Sequence, residues 1–495
     1  MRCLTLAEAL HAGGADVLFV CREHPGHGGD VIRERGFDLA LLPRRESAGP
    51  AAAGYAGWIG DSFEGDARST ADAIGRHFGK SDWVVADHYA FGAAWEQAVR
   101  PVAGRVMAID DMANRRHDCD LLLDQNMVED FERRYDDKVP ADCERLLGPA
   151  YAMLQARYAT VRRTIAPRRG PVRRILVAFG GADGCHLTMR VAASFTRLAR
   201  PGTAMDVVAH RNNPDAGALA RLAAASTGLR VLTDLPSLAD AIAAADAGFG
   251  ATGATTWERC CLGLPSVVIT MGENQRPIAE TLDRLQIVRW LGDEDRVSDE
   301  AMDRALGRLL DEPLDGAWSE RCMELVDGHG VDRVRLSLVT PLLACEGMHV
   351  RRADARDADL LRTWRNDPET IAASRESRPV EADEHARWLR ATLDHPDRRL
   401  FIVHRDGVPL GTVRVDRRPG GQEVSWTVAP HARGMGVGKT MVKLIADALV
   451  GDVYADVKPG NEASAAVAVH AGLTRESSQD GLRRFTRPAL GASTH

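Results

Sequence analysis

AGFGATGATTWERCCLGLPSVVIT, residues 247–270, predicts a strand, a glycine-rich turn, a helix and a second strand. Glycine lets the backbone approach a ligand closely, and the first amides of a helix that begins near Thr255 would suit a phosphate. Glu258, expected on the first helical turn, is placed to accept hydrogen bonds from a ribose diol. A tight strand-to-helix turn with a capping acid explains the motif equally well. The candidate phosphate-binding residues are Gly253, Ala254 and Thr255.

Polar and glycine residues follow two neighbouring predicted strands. Asn274 and Gln275 come after the strand SVVIT, and Gly180 and Gly181 lie in FGGADG, after the first strand of the same lobe. The carboxyl ends of parallel strands meet at one edge of a sheet, where ligands bind in open α/β folds. We therefore expect these residues to share a nucleotide site with Glu258, although a polar loop explains each of them alone. The glycines do not form G-x-G-x-x-G at a first strand, so an NAD site is disfavoured.

Composition sets the outer limits of the interpretation. The chain has 495 residues, enough for about three domains. Its net charge of -7 gives no support for binding nucleic acid or a membrane surface, and no apolar run is long enough to span a bilayer. Nine cysteines without C-x-x-C spacing indicate reduced thiols in a cytoplasm and no zinc site.

Strand-like and helical segments alternate along the first two thirds of the chain. They predict two Rossmann-like lobes, over residues 1–160 and 161–345, with a ligand cleft between them. The basic segment VRRTIAPRRGPVRR, which joins the two series, is expected to be a linker. A new unit begins near residue 346 and continues to about residue 490, with strands arranged around the turn signal RDG.

Several motifs together resemble the UDP-sugar hydrolases of pseudaminic acid biosynthesis, which have a two-lobed GT-B fold. They are GATGATTWERCCLGLPSVVI...ENQ, CREHPGH, ADHYAFGAAWE, IDDMANRRHDCDLLLDQN and LLGPAYAML, spread over roughly residues 1–340. The resemblance implies that UDP binds the second lobe. It also implies hydrolysis of UDP-2,4-diacetamido-2,4,6-trideoxy-β-L-altropyranose to the free sugar and UDP, with inversion at the anomeric carbon.

The opening MRCLTLA resembles the helix that follows a strand and a Gly-x-Gly-His loop in that family, whose loop histidine activates water. Met1 falls inside the motif, so we expect the strand and the histidine to be missing and hydrolysis to be weak. His24 and His27 are possible substitutes, although a solvated loop suits both better. Asp87, after the strand WVVA, is the candidate catalytic carboxylate. His88, Tyr89, Asp110 and Asp111 follow the same strand and the next one.

A second chemistry is predicted from VAPHARGMGVGKTM, residues 428–441. Its R-G-x-G-x-G spacing lets successive backbone amides cradle a pyrophosphate, whereas Arg433 replaces the first glycine that a Walker A loop needs. The stretch resembles the acetyl-CoA loop of the GNAT acetyltransferases, which implies an α+β domain with acetyl-CoA as co-substrate. The residues of this loop are Arg433, Gly434, Met435, Gly436, Val437, Gly438 and Lys439.

Two further features extend the resemblance to GNAT enzymes. NEASAAVAVHAGL places Asn461 and Ser464 as in their N-x-x-S signature, but Ala468 stands where many relatives have a tyrosine acid. The strand QEVSWTV is expected to part from its neighbour, so that an amide near Trp426 or Val428 binds the acetyl carbonyl.

The acceptor side of the transferase is less well defined by sequence. Glu423 is the candidate base, with an exposed strand-edge carboxylate as the alternative. His385, in a segment similar to the acetyltransferase of the same pathway, is expected to line the amine pocket.

Three functions remain open at this stage. The first is a fusion that N-acetylates a UDP-4-amino sugar and removes UDP from the product. The second is a GT-B glycosyltransferase fused to an acetyltransferase, and the third is a non-catalytic nucleotide-sugar-binding module beside an active acetyltransferase. The sequence predicts no metal and leaves the oligomeric state undetermined.

Overall fold

A computed structural model describes residues 1–45, 54–180, 183–198, 200–210, 213–233 and 235–489. The chain divides into two compact units, Met1–Val331 and Asp332–His495, here called unit 1 and unit 2. No helix within the described ranges combines the length and the apolar character that crossing a membrane requires.

The first lobe of unit 1 has its strands in two separate parallel sheets. β1 pairs with β2, and the other sheet has the order β3-β4-β5-β6. The strands are β1 (Leu18–Arg22), β2 (Asp38–Leu42), β3 (Ser81–Asp87), β4 (Ala103–Ile109), β5 (Leu121–Asp124) and β6 (Glu144–Leu147). The helices are α1 (Arg2–His11), α2 (Gly29–Glu34), α3 (Phe63–Phe78), α4 (Ala93–Val99) and α5 (Ala156–Arg162).

The second lobe is built on one parallel sheet with the strand order β12-β11-β10-β7-β8-β9. Its strands are β7 (Arg174–Ala178), β8 (Ala204–Val208), β9 (Leu229–Leu232), β10 (Ala247–Ala251), β11 (Ser266–Thr270) and β12 (Arg289–Asp293). Its helices are α6 (Leu187–Leu198), α7 (Ala216–Ala225), α8 (Ala239–Ala244), α9 (Ala254–Cys261), α10 (Arg276–Arg284), α11 (Asp299–Asp311) and α12 (Ala317–Leu325). The alternation of strands and helices predicted from the sequence is thereby confirmed.

The basic segment that the sequence predicts to be a linker is packed against residues of the second lobe. Arg168 is 8% exposed, and its guanidinium donates to the carbonyl oxygens of Ile242 and Ala245 at 2.9 and 3.2 Å. Gly170 forms a β-bridge with Leu314. The carbonyls around the end of α8 supply the acceptors that a buried guanidinium needs, which its sequence neighbours do not reveal.

Unit 2 has a mixed sheet with the order β13-β14-β15-β16-β17-β18-β20-β19, in which only β17 and β18 pair in parallel. The strands are β13 (Ala344–Cys345), β14 (Met348–Arg352), β15 (Arg398–Arg405), β16 (Val408–Arg418), β17 (Gly421–Val428), β18 (Val453–Val457), β19 (Arg475–Gln479) and β20 (Leu482–Arg487). The helices are α13 (Gly330–Val339), which begins just before the unit boundary, α14 (Ala358–Arg365), α15 (Pro368–Ala373), α16 (Ala382–Leu393), α17 (Val437–Ala448) and α18 (Glu462–His470).

Gly250→Ala should destabilise unit 1, because β10 has no room for a side chain at this position. A Cβ on Gly250 would lie 2.6 Å from the carbonyl oxygen of Ala178 and 2.6 Å from a guanidinium nitrogen of Arg259. Overpacking of this kind costs about 1–3 kcal/mol. The matched control is Gly307→Ala in α11, where a Cβ meets nothing within 4 Å. This substitution should raise the free energy of unfolding by roughly 0.5–1 kcal/mol. Denaturant unfolding of both variants tests this, and equal midpoints would contradict it.

Candidate functional site

The glycine and amide residues predicted for the nucleotide lie at one edge of the second lobe. β10 pairs in parallel with β7 and with β11, so the carboxyl ends of the three strands are adjacent. Gly180 follows β7 with φ of +92°, and Gly253 is the N-cap of α9. Asn274 and Gln275 lie in a short turn after β11. Gly181 lies outside the described residues.

The first amides of α9 have no acceptor within the helix, as at any helix start, and they come from the segment Gly253–Thr255. Thr255 accepts a hydrogen bond from the Arg259 guanidinium at 3.2 Å, and Gln275 uses its carbonyl oxygen to accept from the Met271 amide at 3.0 Å. The side-chain NH₂ of Gln275 is therefore the part of that residue able to donate to a ligand.

Glu258 lies on the second turn of α9 and not on the first, since the helix begins at Ala254. Its Oε2 atom is buried and accepts no hydrogen bond from the part of the chain that the structure describes. Burial raises the pKa of Glu258 to about 7. A buried carboxyl oxygen without a donor is costly, and a hydroxyl donor from a ligand would satisfy it.

Asp87 and Asp111 are brought together in the first lobe by one arginine. The Arg2 guanidinium contacts Asp87 at 2.7 Å and Asp111 at 2.9 Å, and the Tyr89 hydroxyl donates to Asp111 at 3.0 Å. Burial would raise the pKa of Asp87, but Arg2 outweighs it and holds the pKa below its ordinary value. An ionised carboxylate held in an ion pair is a weak proton acceptor, which limits the predicted catalytic role of Asp87.

A buried carboxyl that the sequence did not single out lies beside this pair. Asp124, at the end of β5, is 1% exposed and contacts Arg134 at 2.8 Å and the Tyr135 hydroxyl at 3.1 Å. Burial raises the pKa of Asp124 to about 7, with Arg134 acting against it. Its position at a strand end, two residues before Asn126 in LLLDQN, is the signal that marks it in the sequence.

Asp110 lies, like Asp124, beside the Tyr135 hydroxyl, but its pKa shifts in the opposite direction. Burial would raise the pKa of Asp110, yet His117 and Arg115 hold it well below its ordinary value. Asp110 and Glu96 in turn outweigh burial and raise the pKa of His117 to about 9. Asp110 is paired with Arg115 at 2.8 Å and His117 with Glu96 at 2.6 Å, which favours a structural role.

His24 and His27, the possible substitutes for the family's catalytic loop histidine, are already hydrogen-bonded or enclosed. Nδ1 of His27 accepts from the Gly29 amide at 3.1 Å. His88, which is not one of the proposed substitutes, likewise accepts at Nδ1 from the Ala90 amide at 3.1 Å. His24 has a buried Nε2 atom against Gly60.

In unit 2 the glycine loop leads directly into α17. Gly434 and Gly436 have φ of +74° and +79°, and Gly436 is the helix N-cap, followed by Val437 and Gly438. This backbone turns the helix's free amides outward, the arrangement that binds a pyrophosphate. The Arg433 side chain instead contacts Asp367 and, at 2.9 Å, Glu369. Met435 is 66% exposed, and Lys439 donates its amide to the Gly436 carbonyl.

β17 and β18 part as the sequence predicts. They pair only at Gln422 with Val453 and at Glu423 with Tyr454. From Val424 onward the edge of β17 that faces β18 makes no ladder contact in the described structure, and this edge includes Trp426 and Val428. Backbone amides along such an edge can donate to an acetyl carbonyl.

The N-x-x-S segment has a local structural use. Asn461 is the N-cap of α18, and its side chain accepts from the Ser464 amide at 3.0 Å. Ala468, where many GNAT enzymes have tyrosine, is fully buried in the core of unit 2.

The two residues predicted for the amine-acceptor side of the transferase are both buried. Glu423 is 8% exposed and contacts Arg375 at 2.6 Å, which excludes the exposed strand-edge alternative. His385 is 4% exposed and packs against Trp388 with ring centroids 5.3 Å apart. Burial, followed by the charge of Arg362, lowers the pKa of His385. Among the described residues, no three or more His, Cys, Asp or Glu side chains lie together in an arrangement that could hold a metal ion.

Comparison with known proteins supports the two units unequally. Residues 348–474 match the family model of the acetyltransferase (GNAT) domain. The spore coat polysaccharide biosynthesis protein SpsG of Bacillus subtilis (strain 168) is 27% identical over 189 residues, which are 38% of this chain and 56% of SpsG. The chain thus spans little more than half of that relative's length.

Two solved structures are similar to parts of the chain. The spermidine N-acetyltransferase of Vibrio cholerae, in complex with CoA and spermine, is 16% identical over 29% of this chain and 97% of its own, with a TM-score of 0.27. An acetyltransferase of Thermus thermophilus is 20% identical over 28% of this chain and 96% of its own, with a TM-score of 0.26. On the family match, the C-terminal part of this α/β chain is an acetyltransferase (GNAT) domain, and its co-substrate is acetyl-CoA.

Proposed function

We propose that the chain is a bifunctional nucleotide-sugar enzyme. Unit 2 transfers an acetyl group from acetyl-CoA to the amine of a UDP-4-amino sugar. Unit 1 binds the acetylated product, UDP-2,4-diacetamido-2,4,6-trideoxy-β-L-altropyranose, and hydrolyses it to free sugar and UDP. The pairing is chemically consistent, because the product of the first step is the substrate of the second.

The observation that carries the proposal for unit 1 is the unsatisfied carboxyl oxygen of Glu258. It lies one turn beyond the free amides at the start of α9, where three parallel strands end. Those amides suit a pyrophosphate, and the carboxyl suits the hydroxyls of a ribose. SpsG, by its name a polysaccharide biosynthesis protein, agrees with a sugar-related role.

A second candidate is a nucleotide-sugar-binding module without hydrolysis, and the state of Asp87 favours it. Its ionised carboxylate is held by Arg2 and by the thiol of Cys3 at 3.0 Å. Incubating the chain with the diacetamido UDP-sugar separates these functions. Free reducing sugar with UDP supports the hydrolase, and UDP binding without turnover supports the module. A glycoside formed only with an added acceptor would indicate a glycosyltransferase.

UDP affinity should rise more steeply with pH through about 7 in the native chain than in Glu258→Gln. Ribose hydroxyls donate best to the ionised carboxylate, so binding lowers the raised pKa of Glu258 and releases a proton. Glu258→Ala should weaken UDP binding about tenfold, since a lost buried partner costs about 1–3 kcal/mol. Calorimetry from pH 6 to 8 measures both effects. Because the phosphate of UDP titrates equally with every variant, the same pH dependence in Glu258→Gln would remove Glu258 from the site.

The same raised pKa has a consequence for folding. Between the ordinary value for glutamate and about 7, the folded chain binds more protons at Glu258 than the unfolded chain does. Its contribution to stability is therefore present at low pH and is lost as the pH rises to 7. In Glu258→Gln, the unfolding midpoint should therefore fall less steeply than in the native chain as the pH rises to 7.

Gly436→Asp should abolish acetyl transfer, while Gly436→Asn should retain part of it. A Cβ on Gly436 meets nothing within 4 Å, and both replacements tolerate the left-handed backbone and cap helices well. The variants therefore differ chiefly in the charge that faces the pyrophosphate. We expect acetyl-CoA affinity at least about tenfold weaker for Asp than for Asn, corresponding to about 1.4 kcal/mol or more. Equal affinities by calorimetry would mean that the pyrophosphate binds elsewhere.

A further inference from the structure

A cluster of aromatic side chains lies on the surface of the first lobe. Tyr55 and Trp58 belong to the short 3₁₀ turn Gly54–Trp58, and Tyr89 comes two residues after the end of β3. The ring centroid of Tyr55 is 5.0 Å from that of Trp58 and 4.8 Å from that of Tyr89. The centroids of Trp58 and Tyr89 are 6.2 Å apart. Each ring thus lies against the other two, and these three side chains are here called the aromatic platform.

The platform is exposed although the chain that carries it is anchored. Trp58 is 57% exposed, whereas the next residue, Ile59, is buried. The Gly60 carbonyl accepts a hydrogen bond from the Arg45 amide at 2.9 Å, which ties this segment to the chain that leaves β2. An aromatic surface held towards solvent in this way gains nothing for the fold, and apolar patches with polar borders commonly mark binding sites.

Charged side chains border the platform on one side. The Tyr89 hydroxyl donates to Asp111 at 3.0 Å, and the Arg2 guanidinium joins Asp111 to Asp87. Asp87 ends β3 and Asp111 follows β4, and these two strands pair in parallel. The platform therefore lies at the edge of the sheet where open α/β folds bind ligands. An apolar surface beside carboxylate and guanidinium groups suits a ligand that has both an apolar face and polar substituents, as a sugar ring has.

The size of the platform favours a small ring over a protein partner. It consists of three side chains, of which Tyr55 and Tyr89 are half-buried. A stable protein interface covers about 800 Å² on each partner, whereas one fully exposed aromatic side chain offers about 150–250 Å². Three partly covered rings match the area of one pyranose ring.

We propose that Trp58 and Tyr55 select the sugar of the nucleotide sugar, favouring rings in which methyl and acetamido groups replace hydroxyls. The inference rests on the proposed function for the class of this ligand. Methyl and acetamido groups enlarge the apolar face of a pyranose, and contact with the platform removes that face from water. A hexose that keeps all its hydroxyls would instead lose their hydration against the rings without gaining hydrogen bonds.

Trp58→Ala is the direct test, with Trp83→Ala as its matched control. Trp83 lies in the amino-terminal half of β3 and is also partly exposed, but its ring faces the Arg105 guanidinium. Calorimetry compares UDP, UDP-glucose and the diacetamido UDP-sugar of the proposed function, and KM replaces the dissociation constant for a sugar that is hydrolysed.

In Trp58→Ala, the affinity for the diacetamido sugar should fall about tenfold, which corresponds to about 1.4 kcal/mol. The affinities for UDP and UDP-glucose should stay at their native values, because neither ligand brings methyl or acetamido groups to the platform. Trp58→Phe keeps an aromatic ring and should retain most of the native affinity. All three affinities should be native in Trp83→Ala.

Two results of this comparison would overturn the proposal. One is an unchanged affinity of Trp58→Ala for the diacetamido sugar, with a native unfolding midpoint. The other is an equal loss for all three ligands, since the platform would then act on the nucleotide or on the fold. Sedimentation velocity tests a second copy of the chain as occupant. A dimer that dissociates in Trp58→Ala while the sugar affinity stays native would assign the platform to that interface.

A second measurement needs no nucleotide site. Saturation-transfer NMR with the free 2,4-diacetamido-2,4,6-trideoxy sugar should show signals on its methyl protons in the native chain. These signals should weaken several-fold in Trp58→Ala and not in Trp83→Ala. Such signals without any UDP binding would remove the proposed function of unit 1 and leave the platform's assignment in place. Equal signals in the two variants would contradict that assignment.

Discussion

The free amides at the start of α9 and α17 are the feature on which both candidate sites depend. Each helix follows a strand through a glycine turn, with Gly253 and Gly436 as the N-caps. Neither cap residue offers a side chain to satisfy the amides, so their donors remain available to a ligand. The neighbouring strands determine what that ligand meets next: carboxyl and amide groups around Glu258 in unit 1, and the unpaired edge of β17 in unit 2.

Local sequence signals and the family resemblance were sufficient to predict the start of α9 and the unpaired edge of β17. Glycine spacing and short apolar runs located β10, α9 and β11, and the parting of β17 from β18 followed from the GNAT resemblance. Contacts between distant residues could not be predicted. Arg2 reaches Asp87 and Asp111 across 85 and 109 positions, and nothing in the segments themselves specifies that pairing. The packed position of Arg168 likewise depends on carbonyls more than 70 residues away.

Burial alone does not decide how the carboxylates of the first lobe titrate. Asp110 and Asp124 are both almost completely buried, and both lie within hydrogen-bond distance of the Tyr135 hydroxyl, whose one proton serves one of them at a time. Asp110 also has His117 and Arg115 beside it, and its pKa falls, whereas Asp124 has Arg134 together with two nearby aspartates, and its pKa rises. The number and sign of neighbouring charges separate the two groups. Such a difference is invisible in a sequence that places both residues at strand ends.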